Sequence, residues 1–157
     1  MAVPLSRKRL GKKVIRTQYR TPAWQQSNLD LPSGATDKLI NLLAKGLPFS
    51  AFASFSDKAG IPAPELALIL RIPTRTLVRR RSAGRLAPDE SERLMRLVNI
   101  FEKAVQLFEG KIRPAVNWLR SPKKALSNHS PLEYVSFEIS AREVENLIGR
   151  LEHGTFS

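Results

Sequence analysis

The sequence predicts an all-α protein in which an N-terminal helix-turn-helix domain precedes a smaller helical domain. Three observations carry that expectation. From residue 36 onward, apolar residues recur three and four positions apart, the period of one helix face. Glycines and X-Pro pairs punctuate these runs where helices would end or begin. No segment alternates polar and apolar residues long enough for a strand; Tyr134–Ile139 comes nearest and is short and interrupted. A chain of 157 residues can bury a core as one domain or two small ones, and 42% hydrophobic residues decide against a wholly disordered chain.

The elements follow in order. Residues 1–35 combine Pro4, Pro22 and Pro32 with many cations and little periodicity, which predicts a basic, partly disordered arm with Trp24 as an anchor onto the body. Thr36 is placed to cap a first helix whose apolar face is Leu39, Ile40, Leu42 and Leu43, ended by Gly46. Pro48 opens a second, with Phe49, Phe52 and Phe55 spaced by three and Gly60 beyond its end. Pro64 suits the first position of a helix to about Leu70, with Leu66, Ile69 and Leu70 inward. Ile72-Pro73 breaks it, Thr74 caps the next helix to about Ser82, and Gly84 marks the exit. Pro88 starts a longer helix with Asp89, Glu90 and Glu92 near its positive end. Its stripe is Leu94, Leu97, Val98, Phe101, Val105 and Phe108, and Gly110 stops it.

Beyond residue 110, Ser121-Pro122 and Ser130-Pro131 each read as a cap followed by a first helical residue. Glu133 lies three after Ser130 and Glu143 three after Ser140, both capping-box spacings. The last helix carries Val144, Leu147, Ile148 and Leu151 on one face, with Gly154 at its end.

Composition narrows the function. There is no cysteine, which excludes a disulfide framework, a thiolate metal site and a cysteine nucleophile. Two histidines, His129 and His153, do not make a zinc site. No Gly-rich phosphate loop or nucleophile-base grouping occurs, so no enzyme, metal or cofactor is expected. No apolar run approaches the ~20 residues of a membrane span, and the basic N-terminus lacks the apolar stretch of a secretory signal. A cytoplasmic protein is the resulting expectation.

The formal net charge is +12, and its distribution says more than its size. Residues 1–20 hold Arg7, Lys8, Arg9, Lys12, Lys13, Arg16 and Arg20 without an acid. Residues 71–85 hold Arg71, Arg75, Arg79, Arg80, Arg81 and Arg85, again without one. These two windows account for the whole excess, so the remainder is close to neutral, and residues 130–157 are acidic. Polyanions are the natural partner of the basic windows, and opposite charge at the other end points to a different partner.

A short helix, a tight break and a second helix over 64–82 is the spacing of a helix-turn-helix, whose second helix enters the major groove. Arg75 and Thr76 fall in its first turn, Leu77 and Val78 are expected inward, and Arg79 with Arg80 lies outward. Arginine pairs bidentately with guanine or with phosphate; Arg81 and Arg85 are assigned to the DNA backbone. A charge run is ordinarily a solvated face. Against that stand the absence of acids, the break spacing and the second basic segment upstream. The arm either follows a groove or backbone or is a tail that raises non-specific affinity.

The run Ala115-Val116-Asn117-Trp118-Leu119, then Ser121-Pro122, Ala125-Leu126, Ser130-Pro131-Leu132-Glu133, Ala141-Arg142-Glu143-Val144-Glu145 and Gly149-Arg150-Leu151-Glu152-His153-Gly154 resembles the Xre/MbcA/ParS antitoxin family. With Ile72-Pro73-Thr74-Arg75-Thr76-Leu77, the resemblance spans about residues 36–157 and leaves the arm outside. Ser140 stands where relatives often have glycine. The resemblance implies an antitoxin of a type II toxin–antitoxin system. Such a protein pairs with a RES-domain toxin that attacks NAD, occludes its active site, represses its own operon by binding operator DNA, and forms a homodimer. Beyond the arm 1–35 read from the residues, it also implies a division into a DNA-binding and dimerisation domain 36–110 and a toxin-binding domain 111–157. Carried onto this chain, the toxin-facing residues are Glu145, Arg150, Glu152, His153 and Gly154 with the tail Thr155, Phe156 and Ser157. Trp118, Leu119 and Leu126 match family positions but are expected in the core first. The residues themselves leave open a dimeric helix-turn-helix regulator without a toxin partner.

Overall fold

The computed structural model describes residues 36–154, all helices, turns and loops. Trp24, the rest of the arm and the tail 155–157 lie outside the described residues. The helices are α1 (Thr36–Lys45), α2 (Phe49–Ala59), α3 (Ala63–Ile69), α4 (Thr74–Ala83), α5 (Pro88–Leu107), α6 (Ile112–Arg120), α7 (Pro131–Tyr134) and α8 (Glu138–Glu152), with a 3-10 turn at Lys124–Leu126. Among the described residues there is no strand, only isolated bridges pairing Pro48 with Arg85 and Lys123 with His129.

The long helix α5 organises the rest. Leu94, Leu97, Val98, Ile100, Phe101 and Ala104 are buried along it, and it packs against α1, α6 and α8. Phe101 meets Phe55 of α2 edge to face, with ring centroids 5.2 Å apart, a favourable aromatic arrangement. The stripe expected on this helix is therefore present, widened by Ile100 and Ala104, while Val105 and Phe108 are half-buried at its end. One continuous apolar cluster runs from Leu47 through α5 to Val144 and Ile148 of α8, so both halves of the chain share a core. On α1, Leu42 and Leu43 pack against that core, but Ile40 is 56% exposed and does not belong to the buried face.

Local signals that use neighbours in sequence are realised where tertiary contacts agree. Gly60 and Gly84 end α2 and α4 in the left-handed conformation. Ser130 caps α7: its hydroxyl accepts from Glu133 N at 3.3 Å while Glu133 Oε2 accepts from Ser130 N at 2.7 Å. Three expected caps are not formed. Thr74 is the first residue of α4 rather than its cap, and Pro73 precedes it in extended geometry. Ser121 closes α6 instead of opening a helix, its hydroxyl donating back to Asn117 O at 2.6 Å. Ser140 lies inside α8, which begins at Glu138, and its hydroxyl donates to Tyr134 O at 2.5 Å. At Thr74 the backbone enters the helix one residue too early for its side chain to stand at the cap position, while the Ser121 and Ser140 hydroxyls turn back to carbonyls behind them.

Three contacts tie the helix-turn-helix to the C-terminal half. Arg120 Nη2 donates to both carboxylate oxygens of Glu65 at 3.0 and 2.9 Å. Ser136 Oγ donates to Ile69 O at 2.9 Å. The Arg71 guanidinium lies over the Phe137 ring, 4.6 Å from its centroid.

Candidate DNA-reading helix and C-terminal surface

The turn between α3 and α4 is four residues, Leu70 to Pro73. Leu70 and Ile72 are buried, and the N–H groups of Leu70, Arg71 and Ile72 bond back to Leu66, Leu68 and Ala67 carbonyls at 2.9, 3.0 and 2.8 Å. Arg71 takes φ +56° to make this reversal. That left-handed conformation is uncommon for a side chain of its size. Pro73, which cannot donate a backbone hydrogen bond, then sets the extended entry into α4.

A single buried side chain, Leu77, seats α4 on the body. The remaining anchors are polar. Arg80 Nε donates to Glu90 Oε1 and Oε2 of α5 at 3.2 and 2.9 Å, and Glu90 is 5% exposed. Arg85 Nη1 donates to Gly46 O at 3.0 Å. Backbone bonds stitch the helix exit to the α1–α2 link: Phe49 N donates to Gly84 O at 2.9 Å and Leu86 N to Leu47 O at 2.8 Å. Beneath them the buried Ser91 Oγ accepts from Leu47 N at 2.8 Å and donates to Ala87 O at 2.7 Å.

With Leu77 inward, helical geometry turns Arg75, Val78, Arg79 and Ser82 outward, and all four are exposed. Arg75 and Arg79 are therefore presented together, as expected. Thr76 is half-buried at the edge of this face, and Arg81 is exposed with its guanidinium over the Phe49 ring, 5.7 Å from the centroid. Two expectations need correction. Val78 does not pack inward; it is 61% exposed. Arg80 is not outward; it is half-buried against Glu90 because that carboxylate sits at the first turn of α5, within its reach. Val78 was legible in principle: it lies one residue after the anchor, about 100° around the helix, and three after Arg75. Nothing near Arg80 in sequence marks Glu90 as its partner.

The C-terminal candidates are split along α8. Glu145 is half-buried, its Oε2 3.0 Å from Lys103 Nζ, and it lines a shallow groove with Met95, Arg96, Asn99 and Arg142. Two turns on, roughly 10 Å along the axis at 1.5 Å per residue, Arg150, Glu152, His153 and Gly154 gather at the helix end, all exposed. His153 N donates to Gly149 O at 3.1 Å, and Gly154 takes φ +63°. Thr155, Phe156 and Ser157 lie outside the described residues. Leu119 and Leu126 are buried, as expected of core residues, whereas Trp118 is half-buried between Phe108, at 6.4 Å between centroids, and Lys123 Nζ, 4.9 Å over its ring. Burial pushes the Lys123 ammonium below its ordinary pKa.

Among the described residues, no group of three or more histidine, aspartate and glutamate side chains is placed to hold a metal ion, and no helix is long and apolar enough to cross a membrane.

Residues 38–99 match the antitoxin Xre-like helix-turn-helix domain, and residues 103–154 match the antitoxin Xre/MbcA/ParS C-terminal toxin-binding domain. Among relatives, an antitoxin Xre of Yersinia enterocolitica is 37% identical over 150 residues, covering 91% of this chain and 100% of that protein. An antitoxin Xre of Photorhabdus laumondii is 32% identical over 137 residues, covering 87% of this chain and 91% of its own length. An antitoxin Xre of Pseudomonas putida is 29% identical over 139 residues, with 87% and 84% covered. An arginine-faced helix-turn-helix joined through one core to a second helical domain, matched along nearly the whole chain, identifies this protein as a member of the Xre antitoxin family.

Proposed function

We propose that this chain is the antitoxin of a type II pair. In this reading it neutralises a RES-domain, NAD-degrading toxin by laying the end of α8 and the tail over the toxin's active site. It also represses its own operon as a homodimer in the cytoplasm, with two copies of α4 meeting half-sites one DNA turn apart. The division is the arm 1–35, a DNA-binding and dimerisation domain 36–110 and a toxin-binding domain 111–157. The observation that carries the reading is that two unlike sets of exposed side chains stand on two different helices. Arg75 and Arg79 stand on the acid-free outer face of α4, while Arg150, Glu152, His153 and Gly154 collect at the far end of the chain's last helix. Arg75 and Arg79 read base edges, Thr76, Arg81 and Arg85 contact phosphates, and Arg80 acts by orienting α4 through Glu90.

Two measurements test the two halves. Co-expressed with the toxin, the full chain restores growth and a chain ending at Gly149 does not; equal rescue by both would refute the role given to the helix end. On the DNA upstream of its gene, R75A or R79A weakens binding by ~1–3 kcal/mol and relaxes sequence preference. R81A weakens binding evenly on all sequences and lowers the salt slope by about one. Uniform weakening by all three would leave only phosphate contact.

A further inference from the structure

Val78 is the anomaly of the α4 outer face. The other exposed residues around it, Arg75, Arg79 and Ser82, are cations or a hydroxyl, yet Val78 is apolar and 61% exposed. Neither packing nor local structure calls for it. Leu77 alone is buried on this helix, and valine is a poorer helix former than alanine, its β-branched side chain losing rotamer freedom there. Val78 stands three residues after Arg75 and four before Ser82, on the same side of the helix. A group contacting Arg75 and Arg79 therefore also meets its two methyls.

An apolar protein surface is a poor match for this face, because covering it would desolvate two guanidiniums without a counter-charge. A nucleic-acid groove offers anions for the arginines and, in the major groove, one apolar feature on its base edges, the C5-methyl of thymine. We propose that Val78 is a specificity-determining residue that packs against a thymine methyl next to the bases read by Arg75 and Arg79. This rests on the reading of α4 as a DNA-binding helix and adds the base type it selects.

The experiment uses the full chain and duplexes enriched by it from a random-sequence pool. Each thymine of the enriched duplex is replaced in turn by deoxyuridine, which removes the methyl and leaves the hydrogen-bonding edge unchanged. One thymine per half-site is expected to matter, its replacement weakening wild-type binding about fourfold, equivalent to the ~0.8 kcal/mol of burying one such group. V78A, an exposed substitution to a better helix former, removes the contact in both half-sites of the homodimer, so it binds the thymine duplex about fifteenfold more weakly, twice the same ~0.8 kcal/mol, and shows no further loss with deoxyuridine. If V78A keeps the wild-type preference for thymine over deoxyuridine, or no thymine is sensitive, Val78 does not read a methyl. Enrichment with arginine-dependent binding but a silent deoxyuridine scan overturns this inference alone. Failure to enrich any sequence, with R75A and R79A without effect, overturns the DNA-binding reading and this inference with it. Loss of self-association in V78A, with DNA preference unchanged, would place Val78 in a protein contact instead.

Discussion

Arg80 and Glu90 form a side-on pair in which the guanidinium Nε reaches both carboxylate oxygens, at 3.2 and 2.9 Å, while Glu90 Oε2 also accepts from Ala87 N at 2.7 Å. One nearly buried carboxylate thus closes the first turn of α5 and holds the outer half of α4. R80A leaves that carboxylate with the Ala87 N–H but without its cation, a loss of ~1–3 kcal/mol for a charged group left short of a partner. Urea unfolding reads it as a lower midpoint at constant slope. E90Q keeps one acceptor for Ala87 and should lose less than E90A, which removes the cap as well. Equal losses in all three would mean that packing, not the pair, sets the cost.

Glycines 46 and 60 both occupy the left-handed region, with φ +88° and +62°, but in different surroundings. A Cβ on Gly46 would lie 1.9 Å from Leu86 O, a backbone atom at the α4 exit that cannot move without breaking the Leu47–Leu86 hydrogen bond. A Cβ on Gly60 meets nothing within 4 Å. G60A should therefore cost about 1–2 kcal/mol from conformation alone. G46A should cost clearly more and weaken DNA binding with it, since the displaced strand of backbone carries the end of α4. Matched thermal unfolding of the two variants checks the order; a G46A no less stable than G60A would refute it.

Glu133 is held below the ordinary glutamate pKa, first by the hydrogen bond from the Ser130 backbone N–H, then by the Ser130 hydroxyl, with the charge of His129 adding to both. A carboxyl whose pKa is lowered on folding stabilises the fold above its unfolded value, near 4.3, and that contribution disappears as pH falls through the lowered value. Stability measured from neutral pH into acid should fall less steeply in E133Q than in the wild type, and the two curves should converge at the acid end. Parallel curves would show that the cap does not depend on the charge.

The pattern of agreement has a physical cause. Ser130 and Glu133 form the box their spacing predicts because both partners lie within one turn and Pro131 fixes the entry. Ser121-Pro122 and Ser140–Glu143 have the same local look. Where α6 ends and α8 starts is set by packing of Ala115, Val116 and Leu119 and of Ala141, Val144 and Ile148 against the shared core. Those boundaries move the serines to a helix end and a helix interior. The outward pairing of Arg75 with Arg79 follows from period alone, as does the apolar stripe of α5.

The sequence by itself determined the all-α class, the positions of most helices, the short break that makes a helix-turn-helix and the acid-free arginine window. All of these depend on spacing within a few residues. Only the tertiary structure decided what each side chain on α4 does. With one buried leucine as its apolar anchor, that helix is oriented by Glu90, ten residues on, and by Gly46, nearly forty residues back from Arg85. Such partners draw Arg80 inward and leave Val78 in the open, because a helix's rotation is fixed by what it packs against rather than by its own period.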